Sequence, residues 1–358
     1  MKVQEKLSVA VLGATGAVGQ RFVQLLENHP WFAVCEVVGS ARTAGRPYGE
    51  VVNWVLDGAP PAAAAVLTVK GTDEPLESPL VFSALPKEAA DPLEMELAAA
   101  GYVVCTNASV NRMIDDVPLL LPEVNADHIQ LVNVQRSHRG WKTGALVANS
   151  NCTAMPVVMA LAPLRCFGVK KIHMVSAQAI SGAGYPGIAS LDIVDNVIPY
   201  VSGDEEKLET ETLRMLGELR GEQVHWLDAC ASAACNRVPV VDGHLVNVSV
   251  ELGEKPPFED VIAAWDSFQA PDPVPALPSA PARPVQYLRD INRPQPRRDR
   301  DAGNGMTTSI GRLRECRLLG YKFVTLAHNT IRGAAGCSIL NAELLAVKGY
   351  LADFRLTL

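Results

Sequence analysis

The stretch that most constrains this chain is its beginning. Leu7-Ser8-Val9-Ala10-Val11-Leu12 is a short apolar run of strand-forming residues, and it opens directly into Gly13-Ala14-Thr15-Gly16-Ala17-Val18-Gly19-Gln20. An amphipathic helical pattern follows over Arg21 to Asn28. Strand, glycine-rich turn and helix in that order form the phosphate-cradling start of a dinucleotide fold, because the glycines admit the pyrophosphate and the helix start offers free N–H donors. The spacing G-x-x-G-x-x-G is a variant of the usual fingerprint, and a plain tight turn is the alternative reading of the same letters. Gly13, Thr15, Gly16, Ala17 and Val18 are therefore candidate cofactor contacts.

The second strand, Phe32 to Val38, ends in Gly39-Ser40-Ala41-Arg42-Thr43-Ala44-Gly45-Arg46. A site for NAD usually places an acidic side chain there to hold the ribose hydroxyls. Here Ser40, Arg42 and Thr43 stand instead, which suits a 2′-phosphate and favours NADP. A solvated loop with incidental arginines is the plainer reading. Strand Leu80 to Pro86, helix Ala89 to Ala100 and strand Tyr102 to Thr106 continue the alternation, so the spacing predicts a parallel, doubly wound sheet. Ligands gather at the carboxyl ends of such strands, where Ser83, Asn107 and Arg112 fall. Arg112 reads either as a phosphate clamp or as a surface arginine.

At 358 residues the chain is longer than one ordinary core, so two domains are expected. A net charge of −7 argues against a nucleic-acid binder. Met1 to Lys6 runs straight into the first strand without room for a signal peptide, and the apolar stretch from Ala145 to Leu164 is too interrupted to span a membrane. The eight cysteines lack any CxxC pairing, which implies reduced thiols in a cytoplasmic protein and no metal site.

One of those cysteines stands apart. Ala148-Asn149-Ser150-Asn151-Cys152-Thr153 is a polar run between a strand-like segment and the apolar, helix-like Val157 to Leu164. A thiol where a strand turns into a helix has its proton affinity lowered by the positive helix end, and a thiolate attacks carbonyls and acyl phosphates. Cys152 is the expected nucleophile. Downstream, strand Lys171 to Ile180 carries Gln178 and ends in a second glycine-rich loop, Ser181 to Gly187, whose Gly182 reads as a wall that backbone must bring close to a ligand. Asp204-Glu205-Glu206-Lys207 reads as a solvated helix start or as a partner for a charged substrate. Arg237 and His244 bracket a turn between two strands, which aims both into one cleft. Among seven histidines, His29, His128 and His138 read as loop or surface residues and His173 and His225 as ordinary packed or exposed ones. His244 is the only one beside a glycine turn with an arginine nearby, which makes it a candidate acid/base, with an ordinary packed histidine as the equal alternative. Pro271 to Pro284 reads as an extended surface connection, and Asn329 opens the last long helix, which runs to about Lys348.

Taken together, Gly13 to Gln20, Ser40 to Gly45, Asn107-Ala108-Ser109 with Arg112, Ser150-Asn151-Cys152, Gln178 to Gly187, Asn236 to His244, Arg293 to Met306 and Asn329 to Gly333 resemble the aspartate-semialdehyde dehydrogenase family, in its archaeal and fungal branch. The resemblance implies an α/β fold: a Rossmann-type doubly wound sheet for NADP over 1–150, completed by the segment 329–358, and an α+β catalytic and dimerisation domain over 151–328. It implies reversible, NADPH-dependent reduction of L-aspartyl 4-phosphate through a thioester on Cys152, with His244 as acid/base and Gln178 orienting the acyl group. Asn151, Asp204 and Arg237 would bind the substrate, Arg112 and Lys207 its phosphate, and Asn329 and Gly182 the nicotinamide half. A homodimer or homotetramer is implied. The chain departs from the family pattern at Thr153, where serine is common, at Asp204, where glutamate is usual, and at Cys337, where glycine is frequent. Alternatives are a sister reductase for an acyl phosphate or acyl-CoA, such as malonyl-CoA reductase, a paralogue with another substrate, or a catalytically silent NADP-binding protein.

Overall fold

A computed structural model describes residues 6–354. The expectations for Met1–Glu5 and for the last residues of the 329–358 segment lie outside the described residues. Seven strands, β1 (Leu7–Leu12), β2 (Phe32–Val38), β3 (Val69–Lys70), β4 (Leu80–Ser83), β5 (Val103–Thr106), β6 (Leu119–Leu120) and β7 (Ala145–Asn149), pair in the order β3-β2-β1-β4-β5-β7-β6. Every pairing is parallel. Such a sheet is covered on both faces, which is why β4, β5 and β7 are buried at every residue and read as unbroken apolar runs. The strand order reverses between β1 and β4, and that switch point opens the crevice in which α/β sheets bind ligands.

The glycine turn is built for this corner. Gly13 has φ of +70°, and a Cβ there would stand 2.7 Å from the Ala84 carbonyl at the end of β4. A Cβ on Gly19 would fall 2.1 Å from the Gly13 oxygen, so the third glycine lets the helix pack on its own entrance turn. That helix, α1 (Ala17–Leu26), begins four residues earlier than the apolar periodicity alone indicates, because the turn residues supply its first turn. The single helix expected over 89–100 is instead a short turn at Lys87–Ala90 followed by α2 (Leu93–Ala99), since Pro92 forces Asp91 into extended backbone.

The second sheet is mixed. β8 (Val169–Gln178), β11 (Cys230–Arg237), β12 (His244–Leu252), β13 (Val285–Leu288), β14 (Thr308–Cys316) and β15 (Gly320–Ala327) pair in the order β11-β8-β12-β15-β14-β13. A small hairpin of β9 (Glu218–Arg220) and β10 (Gln223–His225) stands aside. Between the sheets runs α3 (Ala154–Leu161), Ala-Met-Pro-Val-Val-Met-Ala-Leu, buried at all eight residues as an all-apolar helix must be. Thr325 Oγ1 donates to its Pro156 carbonyl at 3.1 Å and Trp265 Nε1 to Ala160 at 2.8 Å, tying it to β15 and to helix α5 (Phe258–Asp266). Helix α4 (Asp204–Met215) lies on its other side. The last helix, α6 (Gly336–Val347), returns to the first sheet, where Ile339, Leu340, Leu344 and Leu345 share a core with Val9, Phe82, Val103 and Val147.

Pro271 to Pro284 is not simply a surface connection. Val274 and Leu277 are buried in that first core, and Ser279 donates from N and Oγ to Glu343 of α6. His29 and His128 likewise depart from the surface reading. His29 is buried with Nε2 2.7 Å from Glu343, and His128 is buried with Nδ1 3.1 Å from Asn125. Both are polar residues placed inside because a partner there satisfies them. Among the described residues no helix is long and apolar enough to cross a membrane.

Candidate active site

The turn carrying Cys152 is pinned from several sides. Asn151 Oδ1 accepts the N–H groups of Thr153 (2.7 Å) and Ala154 (3.2 Å), so its side chain caps the start of α3. Its own N–H donates to Glu211 Oε2 at 2.6 Å, and its Nδ2 reaches Asp204 Oδ1 at 3.3 Å. Asn149 Nδ2 bridges Asn107 Oδ1 (2.9 Å) and the Ala334 carbonyl (3.0 Å). A π-helical turn, Ile331–Ala335, brings Gly333 against the nucleophile, where a Cβ would stand 2.6 Å from that of Cys152. Local π turns of this kind recur at functional sites.

Cys152 is half-buried at the positive end of α3, yet its thiol is not acidified. Burial, followed by the negative charge of Asp204, pushes it up to about 11, against the pull of Arg112, Arg237 and a hydrogen bond with Thr153. This corrects the sequence expectation. Desolvation of a thiolate opposes the lowering expected from a helix end.

Topology explains why remote residues meet here. Gln178 ends β8, and Arg237 ends its parallel neighbour β11 directly opposite it. His244 begins β12, which runs antiparallel on the other side of β8, and Asn329 follows the end of β15. All four thus lie at one rim of the second sheet. Arg237 and His244 do not flank a hairpin, because β8 lies between their strands. Gln178 Nε2 donates to Asp204 Oδ2 at 3.0 Å, and Arg237 Nη1 donates to the Ala179 carbonyl at 2.8 Å.

His244 is fully buried and sits one layer beneath the cleft, behind Gly182, where a Cβ would lie 3.0 Å from Nε2. Its Nδ1 accepts the Ala179 N–H at 3.0 Å, which leaves the proton of the neutral ring on Nε2. Burial pushes the ring down to about 3, and Arg237 and His328 add to the effect. The imidazole is therefore a neutral donor through Nε2. Asn329 holds the covering loop, accepting from Gly243 N (2.8 Å) and donating to Ser181 Oγ (2.7 Å).

Helix α4 presents one face to all of this, through Asp204, Lys207, Glu211 and Arg214, spaced by three and four residues. Lys207 Nζ lies 3.4 Å from Asp204, and Glu211 Oε1 pairs with Arg112 Nη1 at 3.0 Å. Arg112 Nη2 donates to the Asn107 carbonyl at 2.6 Å. The resulting cleft, about 640 Å³, runs from Gly16, Ala17 and Val18 past Asn107 and Cys152 to Gln178, Lys207 and Arg237. Gly16 caps α1 without any side-chain hydrogen bond, and no acidic residue occupies the first turn, so N–H donors and a positive helix end face the cleft. That arrangement fits a dinucleotide pyrophosphate. Ser40 and Arg42 are exposed and Thr43 half-exposed at the end of β2, while the Thr15 carbonyl is occupied by Gln20 Nε2 at 2.9 Å. The Ser83 side chain is fully buried, and its carbonyl accepts from Asn107 Nδ2 at 3.2 Å.

The family model described as semialdehyde dehydrogenase, NAD binding domain, matches residues 8–132, and the model described as semialdehyde dehydrogenase, dimerisation domain, matches residues 161–332. The chain belongs to the semialdehyde dehydrogenase family. It is 46% identical to an aspartate-semialdehyde dehydrogenase of Archaeoglobus fulgidus over 341 residues, 95% of this chain and 98% of that one. A malonyl CoA reductase (NADP) of Metallosphaera sedula is 37% identical over 98% of this chain and 99% of its own. The crystal structure of aspartate semialdehyde dehydrogenase with NADP from Candida albicans superimposes with a TM-score of 0.88 at 38% identity, covering 96% of this chain and 99% of that one.

Within this semialdehyde dehydrogenase, sequence reading missed Glu211, Arg214 and the buried Arg332–Glu123 pair. The spacing of Glu211 and Arg214 from Asp204 is a helical signal that was open to notice. The Arg332–Glu123 pair joins segments far apart in the chain, and no local pattern reports it.

Proposed function

We propose that this semialdehyde dehydrogenase catalyses the reversible, NADP-dependent reductive dephosphorylation of L-aspartyl 4-phosphate to L-aspartate 4-semialdehyde. The observation carrying this reading is the meeting of one sulfur, Cys152, with Gln178 and three cations, Arg112, Lys207 and Arg237, in a cleft continuous with the glycine turn. A substrate with a carboxylate at one end and an acyl phosphate at the other needs cations for two anionic groups and a soft nucleophile between them. Cys152 Sγ attacks the acyl carbon and the C–O bond to phosphate breaks. The thiol proton leaves with the phosphate, so thiol plus acyl phosphate become thioester plus hydrogen phosphate. Gln178 orients the acyl group, Arg237 pairs with the carboxylate, and Asn151 and Asp204 border the amino group. Arg112 and Lys207 hold the phosphate. His244 moves protons to and from the substrate oxygen and the thiol. NADPH, when bound, supplies the hydride to the thioester carbonyl; the C–S bond then breaks to release the semialdehyde, and one proton from water, passed on by His244, restores the Cys152 thiol. Gly13, Thr15, Gly16, Ala17 and Val18 cradle its phosphates; Asn107, Gly182 and Asn329 border its nicotinamide half; Ser40, Arg42 and Thr43 receive the 2′-phosphate.

In this reading residues 1–150 with 329–358 bind NADP, and 151–328 carry the chemistry and the contacts of a cytoplasmic homodimer or homotetramer. The test is phosphate-dependent reduction of NADP with aspartate semialdehyde, run beside malonyl-CoA reduction. Cys152→Ser is expected to abolish turnover and keep NADP binding. Turnover with malonyl-CoA and none with the semialdehyde rejects the substrate, and normal turnover by Cys152→Ser rejects the mechanism.

A further inference from the structure

Glu211 is almost completely buried, and each of its carboxylate oxygens has a separate task. Oε1 takes Arg112 Nη1 at 3.0 Å, and Oε2 takes the backbone N–H of Asn151 at 2.6 Å. Asn151 directly precedes the nucleophile, while Arg112 belongs to the loop after β5 and lines the same cleft. One side chain therefore joins the cation assigned to phosphate and the turn assigned to sulfur. Arg214, one turn along α4, donates to the carbonyls of Arg112 (2.9 Å) and Val117 (3.0 Å), so the helix holds the backbone of that loop as well as its guanidinium.

We propose that Glu211 is a positioning residue that sets Arg112 and the Cys152 turn in a single register, so that phosphate engagement and the aim of the sulfur are coupled. The proposal rests on the function read above. A buried ion pair is weak evidence of stabilisation, because desolvation offsets most of the attraction. A carboxylate that satisfies two donors from separate segments has a geometric role instead. Without it, Arg112 would be a buried cation beside Lys207 and Arg237, drawn towards Asp204, the remaining carboxylate among the described residues lining the cleft.

Glu211→Gln tests this. Its single amide oxygen serves one of the two donors and sets an NH₂ against the other. The expected result is an unchanged fold by circular dichroism and unchanged NADP affinity. In the semialdehyde-oxidising direction, the KM for inorganic phosphate rises and kcat falls on the order of a hundredfold, the scale of a misplaced reacting group. In the absence of turnover, inorganic phosphate slows iodoacetamide alkylation of Cys152 in the wild type and no longer does so in the variant. Glu211→Asp, which keeps the charge but reaches only one donor, is expected to restore phosphate binding better than kcat. It also replaces Glu211→Gln if that variant does not fold. Combining Glu211→Gln with Arg112→Ala is expected to cost no more than the worse single change. Wild-type phosphate dependence and alkylation in Glu211→Gln, or strict additivity with Arg112→Ala, overturns the proposal. If the wild type fails to oxidise aspartate semialdehyde but phosphate still protects Cys152 and Glu211→Gln abolishes that protection, the substrate assignment falls and the coupling stands.

Discussion

A thiol pushed up to about 11 is almost wholly protonated at neutral pH, so free Cys152 reacts through a small thiolate fraction. Iodoacetamide alkylation of the free enzyme is therefore expected to keep accelerating as pH rises past 9; a plateau near pH 7 would contradict this environment. The neighbouring Gly333 leaves no room for a methyl group, since a Cβ would stand 2.6 Å from that of Cys152. Gly333→Ala should lower kcat on the order of a hundredfold while NADP still binds, as titration of protein fluorescence will report. At the other end of the cleft, Arg42→Ala is expected to weaken NADPH far more than NADH; equal loss for both would reject the 2′-phosphate assignment. The cysteine and the glycine turn were legible in sequence because each signal is local, a strand, a turn and a helix in succession. The cover over His244 was not, because Gly182 and His244 belong to different connections and meet only after β8 and β12 have paired.

Helices and strands carry the next level of explanation. Trp265 of α5 is fully buried, with ring centroids 5.5 Å from Tyr287 and 5.1 Å from Phe323. Together with its hydrogen bond to Ala160 this makes it the lock of α3, and Trp265→Ala should cost about 3–5 kcal/mol in denaturant unfolding. Arg332, in the π turn, is fully buried 2.7 Å from Glu123 and also donates to Met159 Sδ of α3 at 3.2 Å. Glu123→Ala would leave that guanidinium unpaired in the interior, at a cost of about 3–5 kcal/mol by the same measurement. Apolar periodicity located α3 and α6 well because their burial is continuous. It failed at Pro92, where one residue divides a helix, and at β14. That strand follows a segment dense in charge and turn formers, and its paired position beside β15 decides what its own letters leave ambiguous.

At the scale of the molecule, buried imidazoles dominate the acid response. Burial foremost pushes His244 down to about 3 and His328 to about 4, and it lowers His128 as well. In the unfolded chain each titrates near 6.5, so between these values the unfolded state binds more protons. Stability is then complete above about pH 6.5 and is lost as pH falls towards 4. Burial raises the carboxyl of Glu94, which acts with the opposite sign. Hydrogen bonds hold Glu36 and Asp299 low, which extends the loss below about pH 4. Melting temperatures recorded from pH 8 to 4 should decline; a flat profile would mean the imidazoles are not sealed as described. Sequence foretold the parallel first sheet, whose strand–helix alternation is written along the chain. The strand order of the second was illegible, since β11 and β12 both choose β8 from across long connections.

The return of α6 to the first sheet has a practical corollary. Truncation after residue 150 would strip Val9, Phe82, Val103 and Val147 of the side chains that shield them, exposing a greasy plane. Such a fragment should aggregate, and splicing residues 329–354 behind it restores only part of the missing wall, because Val274 and Leu277 also close that core. Any attempt to graft new chemistry onto this nucleotide binder has to keep both the tail and the segment around Val274 to Ser279.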